Sequence, residues 1–171
     1  MASTIKVNEI QHTGGTSAMT VDTTGRILQP AKPAFSATRT SNLTVNNSPQ
    51  TIIYNAVHHN QGSHYNSSNG KFTAPVTGLY YFSAATSIVV LADSRFLVLT
   101  IQTSDSNFTG QVLSGRSHAY KASGTSYAQA QCAGVIPLNA NDFVLCKLEV
   151  ETSSALSVGD SACYFTGYLI G

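Results

Sequence analysis

Apolar and polar positions alternate with a period of two along much of this 171-residue chain, and no stretch sustains the three-to-four spacing of a helix. Thr51–Val57 (TIIYNAV) puts Ile52, Tyr54 and Ala56 on one face. In Phe143–Val150 (FVLCKLEV), Val144, Cys146, Leu148 and Val150 share a face, with Lys147 and Glu149 opposite. Cys163–Ile170 (CYFTGYLI) sets Cys163, Phe165, Gly167 and Leu169 against Tyr164, Thr166, Tyr168 and Ile170. Arg95–Ile101 (RFLVLTI) is apolar almost throughout, as a strand covered on both faces would be. Turn formers separate these runs at Asn46-Asn47-Ser48-Pro49, Ser67-Ser68-Asn69-Gly70, Ala122-Ser123-Gly124 and Asn139-Ala140-Asn141-Asp142. The pattern predicts an all-β chain of many short strands closed as a sandwich or barrel.

The stretch Gly70–Ala84 (GKFTAPVTGLYYFSA) is the richest in aromatic residues. Pro75 is excluded from a central strand and Gly78 suits a turn, so the stretch divides at a corner into strands Gly70–Ala74 and Leu79–Ala85. Alternation places Leu79, Tyr81 and Ser83 on one face of the second strand and Tyr80, Phe82 and Ala84 on the other. One of these faces belongs to a core. The other is left for solvent, an outer strand or a neighbouring subunit.

The chain changes character at Gln29-Pro30-Ala31-Lys32-Pro33, where two prolines make a semi-rigid hinge. This divides it into an arm, residues 1–32, and a head, residues 33–171. In the arm, Thr4–Ile10 alternates, and Ser17–Leu28 reads as two short strands around an Asp22–Gly25 turn. A segment this short cannot bury enough surface to fold alone. Its apolar residues Ile5, Val7, Ile10, Met19, Val21, Ile27 and Leu28 are therefore expected to anchor it on its own head, on symmetry mates or on a larger assembly.

Composition narrows the function. Charged residues are only 10% of the chain and the net charge is +1, so neither a nucleic acid nor an anionic membrane is an expected partner. The first residues, MASTIKVNEIQHT, lack the apolar core of a signal peptide, which points to synthesis and folding in a cytosol. Three cysteines, Cys132, Cys146 and Cys163, make an odd number. Each lies in an apolar or alternating run, where a thiol acts as a small buried hydrophobe rather than half of a disulfide framework.

No catalytic grouping is visible: neither a Gly-x-Ser-x-Gly elbow, nor His-Glu-x-x-His, nor Cys-x-x-Cys, nor a phosphate-cradling glycine loop. The expectation is a non-enzymatic protein without cofactor. The densest group of metal-ligating side chains is His58, His59 and His64 in HHNQGSHY. The adjacent pair would point to opposite faces of a strand, so the segment reads as a polar surface loop rather than a metal site.

The spacing Tyr54, Asn60, Tyr65, Phe72, then Gly78-Leu79-Tyr80-Tyr81-Phe82 resembles the signature of the complement C1q-like globular head. Tyr54 stands where that family usually has Phe, and Ala84 where an aromatic often closes the pattern. Tyr164-Phe165-Thr166-Gly167-Tyr168-Leu169 is similar to the family's last strand, and Pro33-Ala34-Phe35-Ser36-Ala37 to its first. The resemblance implies a ten-stranded jelly roll of the C1q and tumour-necrosis-factor type, assembled as a tight homotrimer that binds partners and does not catalyse. Tyr54, Tyr65, Phe72, Tyr80, Tyr81, Phe82, Phe165 and Tyr168 are then the core and trimer-contact residues. Some such heads hold calcium in loops, for which Asp93, Asp105 and Asp160 supply only one carboxylate each.

The arm, with Ser3-Thr4-Ile5-Lys6-Val7-Asn8-Glu9-Ile10-Gln11, Thr16–Asp22 and Gly25-Arg26-Ile27-Leu28, is similar to N-terminal segments of tailed-phage virion proteins. Together the two resemblances imply a trimeric virion surface protein of a bacteriophage. A capsid decoration, or cement, protein is favoured, its arm gripping the major capsid protein or another virion protein. The alternative is the receptor-binding tip of a short tail fibre that recognises host surface polysaccharide. A third reading, a secreted complement-like lectin, sits poorly with the odd cysteine count and the arm.

Overall fold

The structure is a computed structural model that describes residues 5–46, 48–90, 94–107, 111–119, 126–152, 156–158 and 163–171. Every element among the described residues is a strand. Three of them, β1 (Glu9–Gln11), β2 (Ser17–Val21) and β3 (Ile27–Leu28), form a small antiparallel meander of their own. The alternation that begins at Thr4 does not become a strand until Glu9. The last ladder bond runs from the Val21 amide to the Asn8 carbonyl, after which β2 turns away. That turn is built by Asp22. Its carboxylate accepts hydrogen bonds from the Arg26 and Thr24 amides at 2.9 Å each and pairs with Arg26 Nε at 2.7 Å. The Arg26 amide and guanidinium, with the Thr24 hydroxyl, hold the carboxyl down to about 2.

The remaining chain forms β4 (Ala34–Thr38), β5 (Thr44–Val45), β6 (Gln50–Ile52), β7 (Ala56–Gln61), β8 (Tyr65–Asn66), β9 (Lys71–Thr73) and β10 (Gly78–Val90). These are followed by β11 (Ser94–Thr103), β12 (Gln111–Ala119), β13 (Ser126–Leu138), β14 (Phe143–Thr152), β15 (Leu156–Val158) and β16 (Tyr164–Leu169). They make two packed antiparallel sheets. In the first, β10 lies between β13 and β16, and β16 continues to β4 and β7. In the second, the order is β12-β11-β14-β9-β8, with β6 beside β14. The expected all-β jelly roll is what the chain adopts. The turn read at Ala122-Ser123-Gly124 lies outside the described residues.

The corner at Pro75 separates β9 from β10, and β10 runs on to Val90, beyond the expected end at Ala85, because β13 pairs with it along its whole length. In Phe143–Val150 the alternation holds: Val144, Cys146, Leu148 and Val150 are fully buried. In β11, Leu97 through Ile101 are buried without a break, as the apolar run predicts. Thr51–Val57 differs from its reading as one strand. It breaks into β6, which pairs with β14, and β7, which pairs with β4 in the opposite sheet. The segment between them is held by hydrogen bonds that each use one side chain. Arg39 Nη1 donates to the Ile53 carbonyl at 2.7 Å, and the Asn55 side chain accepts from the Thr40 amide at 3.1 Å.

The aromatic spacing of the sequence now has a physical account. Tyr54 crosses between the sheets, fully buried, and its hydroxyl donates to the Ala85 carbonyl at 3.3 Å. Tyr65 donates its hydroxyl to the Tyr54 carbonyl at 2.9 Å. Asn60 closes the turn from β7 to β8: its amide donates to the Tyr65 carbonyl at 2.8 Å and its carbonyl accepts the Tyr65 amide at 3.1 Å. Phe35 stacks on Tyr65 at 4.7 Å and on Phe72 at 5.1 Å, and meets Phe165 edge-on at 4.9 Å. Phe72 meets Phe82 at 5.5 Å. Such offset and edge contacts add about 0.5–1.5 kcal/mol per pair to the burial itself.

Burial also fixes the chemistry of the core's ionisable groups. All three cysteines are buried, and none is in a disulfide. Burial pushes the Cys132 thiol up to about 11 from its ordinary 9.0 and raises Cys146 well above that value. It likewise raises the Tyr54, Tyr65 and Tyr80 phenols above 10.0. Each group favours its neutral form in the folded state, so the fold holds these protons more tightly than the unfolded chain does. Stability from this source is therefore complete below the ordinary thiol value and is lost as pH rises above it. The urea midpoint is expected to stay flat from about pH 7.5 to about pH 8.5 and to fall above about pH 9. A disulfide reagent at pH 8 is expected to leave Cys132 and Cys146 unmodified until the chain unfolds.

Candidate assembly face

The outer face of the first sheet is set by register. Opposite residues in an antiparallel pair share a face, so Tyr81 stands between Val135 on β13 and Tyr168 on β16, and Ser83 between Ala133 and Thr166. The inner positions of β10, Tyr80, Phe82, Ala84 and Ile88, are fully buried. On the outer face Ala85 is covered, but Leu79 on β10 is 47% exposed, Val135 and Tyr127 on β13 are 49% and 66%, and Tyr168 on β16 is 46%. Tyr81 and Tyr168 lean together at 5.4 Å, and Ser83 Oγ lies 3.3 Å from the Tyr164 hydroxyl. Across the outer positions of β13, β10, β16 and β4 there is no Asp, Glu, Lys or Arg. Leu79, Tyr81, Val135 and Tyr168 form an apolar patch at one end of this uncharged face, and serine, threonine and glutamine side chains continue it; exposed aromatics without charge are the composition of an interface rather than of free surface.

The sequence-derived aromatics divide accordingly. Tyr54, Tyr65, Phe72, Tyr80, Phe82 and Phe165 lie in the core, while Tyr81 and Tyr168 lie on the outer face. Alternation had put Leu79 on the Tyr81 face, whereas Val135 and Tyr127 were not singled out by sequence. The period-two burial along β13, with Ala128, Ala130, Cys132, Ile136 and Leu138 inside, was the available signal.

The histidines do not gather. HHNQGSHY is not a loop throughout, since His58 and His59 lie on β7. His58 Nε2 is 2.8 Å from the Thr38 hydroxyl, and His59 stands opposite Ser36. His64 lies edge-on to the Phe72 ring at 6.4 Å, and burial lowers its imidazole below 6.5. Among the described residues no three His, Cys, Asp or Glu side chains come together as a metal site. Asp105 spends its carboxylate on the Asn107 amide and side chain at 2.9 Å each. Asp93 and Asp160 lie outside the described residues.

The arm residues take different places. Ile5, Val7, Ile10, Ile27 and Leu28 are 87%, 45%, 48%, 62% and 50% exposed, whereas Met19 and Val21 are half-buried. The meander leaves the head beside the end of β16. Gln61 Nε2 donates to the Gln29 and Lys32 carbonyls at 2.9 and 2.6 Å, and Lys32 Nζ donates to the Ile170 carbonyl at 3.0 Å.

A two-sheet antiparallel jelly roll of this order is the fold of C1q/TNF-like domains. Residues 34–170 match the C1q domain, and the chain belongs to that family. It is 48% identical over 52 residues to a complement C1q subcomponent of Homo sapiens, covering 30% of this chain and 20% of that protein. It is 38% identical over 55 residues to Caprin-2 of Danio rerio, covering 32% of this chain and 6% of that protein. Among solved structures, the globular domain of the zebrafish complement 1qA protein superposes with a TM-score of 0.60 at 22% identity, covering 82% of this chain and 98% of that one. Murine APRIL superposes with a TM-score of 0.62 at 9% identity, covering 81% and 99%. Domains of this family are typically trimeric and serve binding or structural roles rather than catalysis.

Proposed function

We propose that this protein is a non-enzymatic homotrimer of a tailed-phage virion surface, made in the bacterial host's cytoplasm, in which residues 33–171 form the displayed head and residues 1–32 the attachment arm. The particular role is capsid decoration: the arm grips the major capsid protein or a neighbouring virion protein, and the head projects outward. The observation that carries the reading is the meander β1–β3, a separate small sheet at one end of the head with Ile5, Val7, Ile10, Ile27 and Leu28 exposed. Trimerisation through the uncharged face presents three arms together, so weak contacts gain from effective concentration. A trimer also matches the threefold positions of an icosahedral shell.

Deleting residues 1–32 is expected to abolish virion attachment and leave a folded head. Undiminished attachment of the truncated protein to stripped particles would refute the anchoring role. Copy number in purified virions tests location: hundreds of copies place the protein on the capsid, a few tens or fewer on the tail. The second reading, a tail-fibre tip recognising host glycan, is favoured by one feature, an open cleft of about 440 Å³ between Leu79, Pro137, Asp105, Asn107 and Asn139. Selective binding on a glycan array, lost on filling that cleft with Leu79→Trp, would support it.

A further inference from the structure

The register of the meander makes it two-faced. Ile10 pairs with Met19 and Val21 with Ile27, and Met19 and Val21 are two residues apart on one strand. Those four side chains therefore share one face, which carries no charge. Glu9, Thr20 and Leu28 fall on the other. Among the described residues no second layer covers the apolar face: Ile27 is 62% and Ile10 48% exposed, with Met19 and Val21 half-buried. A single three-stranded sheet gains independent stability only by packing that face on something.

The position of the meander indicates the occupant. It leaves the head beside Ile170, and Ala18, Gln29 and Lys32 line a cleft with Leu169, Ile170 and Gly171. Ile170, 43% exposed, lies just past the end of β16, two residues beyond Tyr168 of the assembly face. The apolar arm thus continues from the end of that face, and three heads joined through it bring three arms out side by side. We propose that the three arms close on one another through the face carrying Ile10, Met19, Val21 and Ile27, forming a second small apolar core on the axis of the trimer. The inference rests on the trimeric reading of the head and refines the arm's role. It leaves Leu28 on the opposite face, with Ile5 and Val7 ahead of β1, for the virion partner.

Cross-linking in the full chain tests it. Ile10→Cys and Ile27→Cys place a thiol on the proposed contact face, and Leu28→Cys places one on the other. The native thiols are buried, so the introduced one reacts. A bis-maleimide spanning about 10 Å, the separation of packed sheets, is the probe. One cysteine per chain joins two of three protomers, so Ile10→Cys and Ile27→Cys are expected to convert up to about two thirds of the chains to covalent dimers, and Leu28→Cys few. A trimeric mass by light scattering with no cross-linking of either contact-face variant, or with equal cross-linking of all three, overturns the arm contact while leaving the head assembly standing. A monomeric mass overturns the trimeric reading, and the arm contact with it.

Discussion

Replacing Gly167 by valine is expected to abolish the soluble folded head, and replacing it by alanine to lower the melting temperature by about 6–12 °C. A Cβ at this position would fall inside the Phe82 ring and against the Phe35 ring. Phe82 is fully buried and Phe35 only 2% exposed, and both are held against Phe72, Phe35 face to face and Phe82 edge-on. They cannot step aside without moving the aromatic cluster that joins the two sheets. Overpacking of this kind costs about 1–3 kcal/mol, here at the upper end for alanine, out of the 5–15 kcal/mol that holds a typical domain. Gly134→Ala is the contrast: its Cβ would meet only the terminal carbons of Leu113, a half-buried side chain that can rotate. Near-ultraviolet circular dichroism through a thermal melt reads both variants. An unchanged melting temperature for Gly167→Ala would show that Phe82 and Phe35 do not crowd this position.

Val135→Glu is expected to turn the protein into a folded monomer. Val135 is about half exposed in the single chain, directly opposite Tyr81, so the carboxylate stays hydrated there and the head keeps its stability within about 0.5 kcal/mol. In the assembled protein the same carboxylate enters an uncharged face without a cationic partner. An unpaired buried charge costs roughly 3–5 kcal/mol, or about two to three and a half decades of affinity, and threefold symmetry repeats it in every protomer. Light scattering at micromolar concentration gives the mass, and circular dichroism confirms the fold. A trimeric mass would show that this face is not where the copies meet. Tyr168→Glu, on the other side of Tyr81, is expected to act in the same direction.

Much of the head was legible because burial on one face writes itself into alternate residues. Phe143–Val150 and Cys163–Ile170 declare their inner faces by themselves, and the continuous apolar run in β11 signals cover on both sides. The break of Thr51–Val57 into strands of opposite sheets was not legible. Tyr54 is buried in the crossing as it would be in a strand, and the groups that divert the backbone, Arg39 and Thr40, lie more than ten residues upstream. The extent of β10 was hidden for a similar reason, since its last stretch of pairing depends on residues of β13 some forty positions away.

By itself, the amino-acid sequence determined the all-β class, the corner at Pro75, the two-faced tyrosine pair and the family resemblance. All of these rest on local periodicity and the fixed geometry of proline and glycine. Only the tertiary structure decided that Tyr81, Val135 and Tyr168 meet on one uncharged surface, that Gly167 is required by two rings from distant strands, and that the arm folds into a meander with one apolar face. A period of two says that a side chain points up or down. Which strands lie beside it, and whether anything covers it, are settled by long-range pairing that no local pattern encodes.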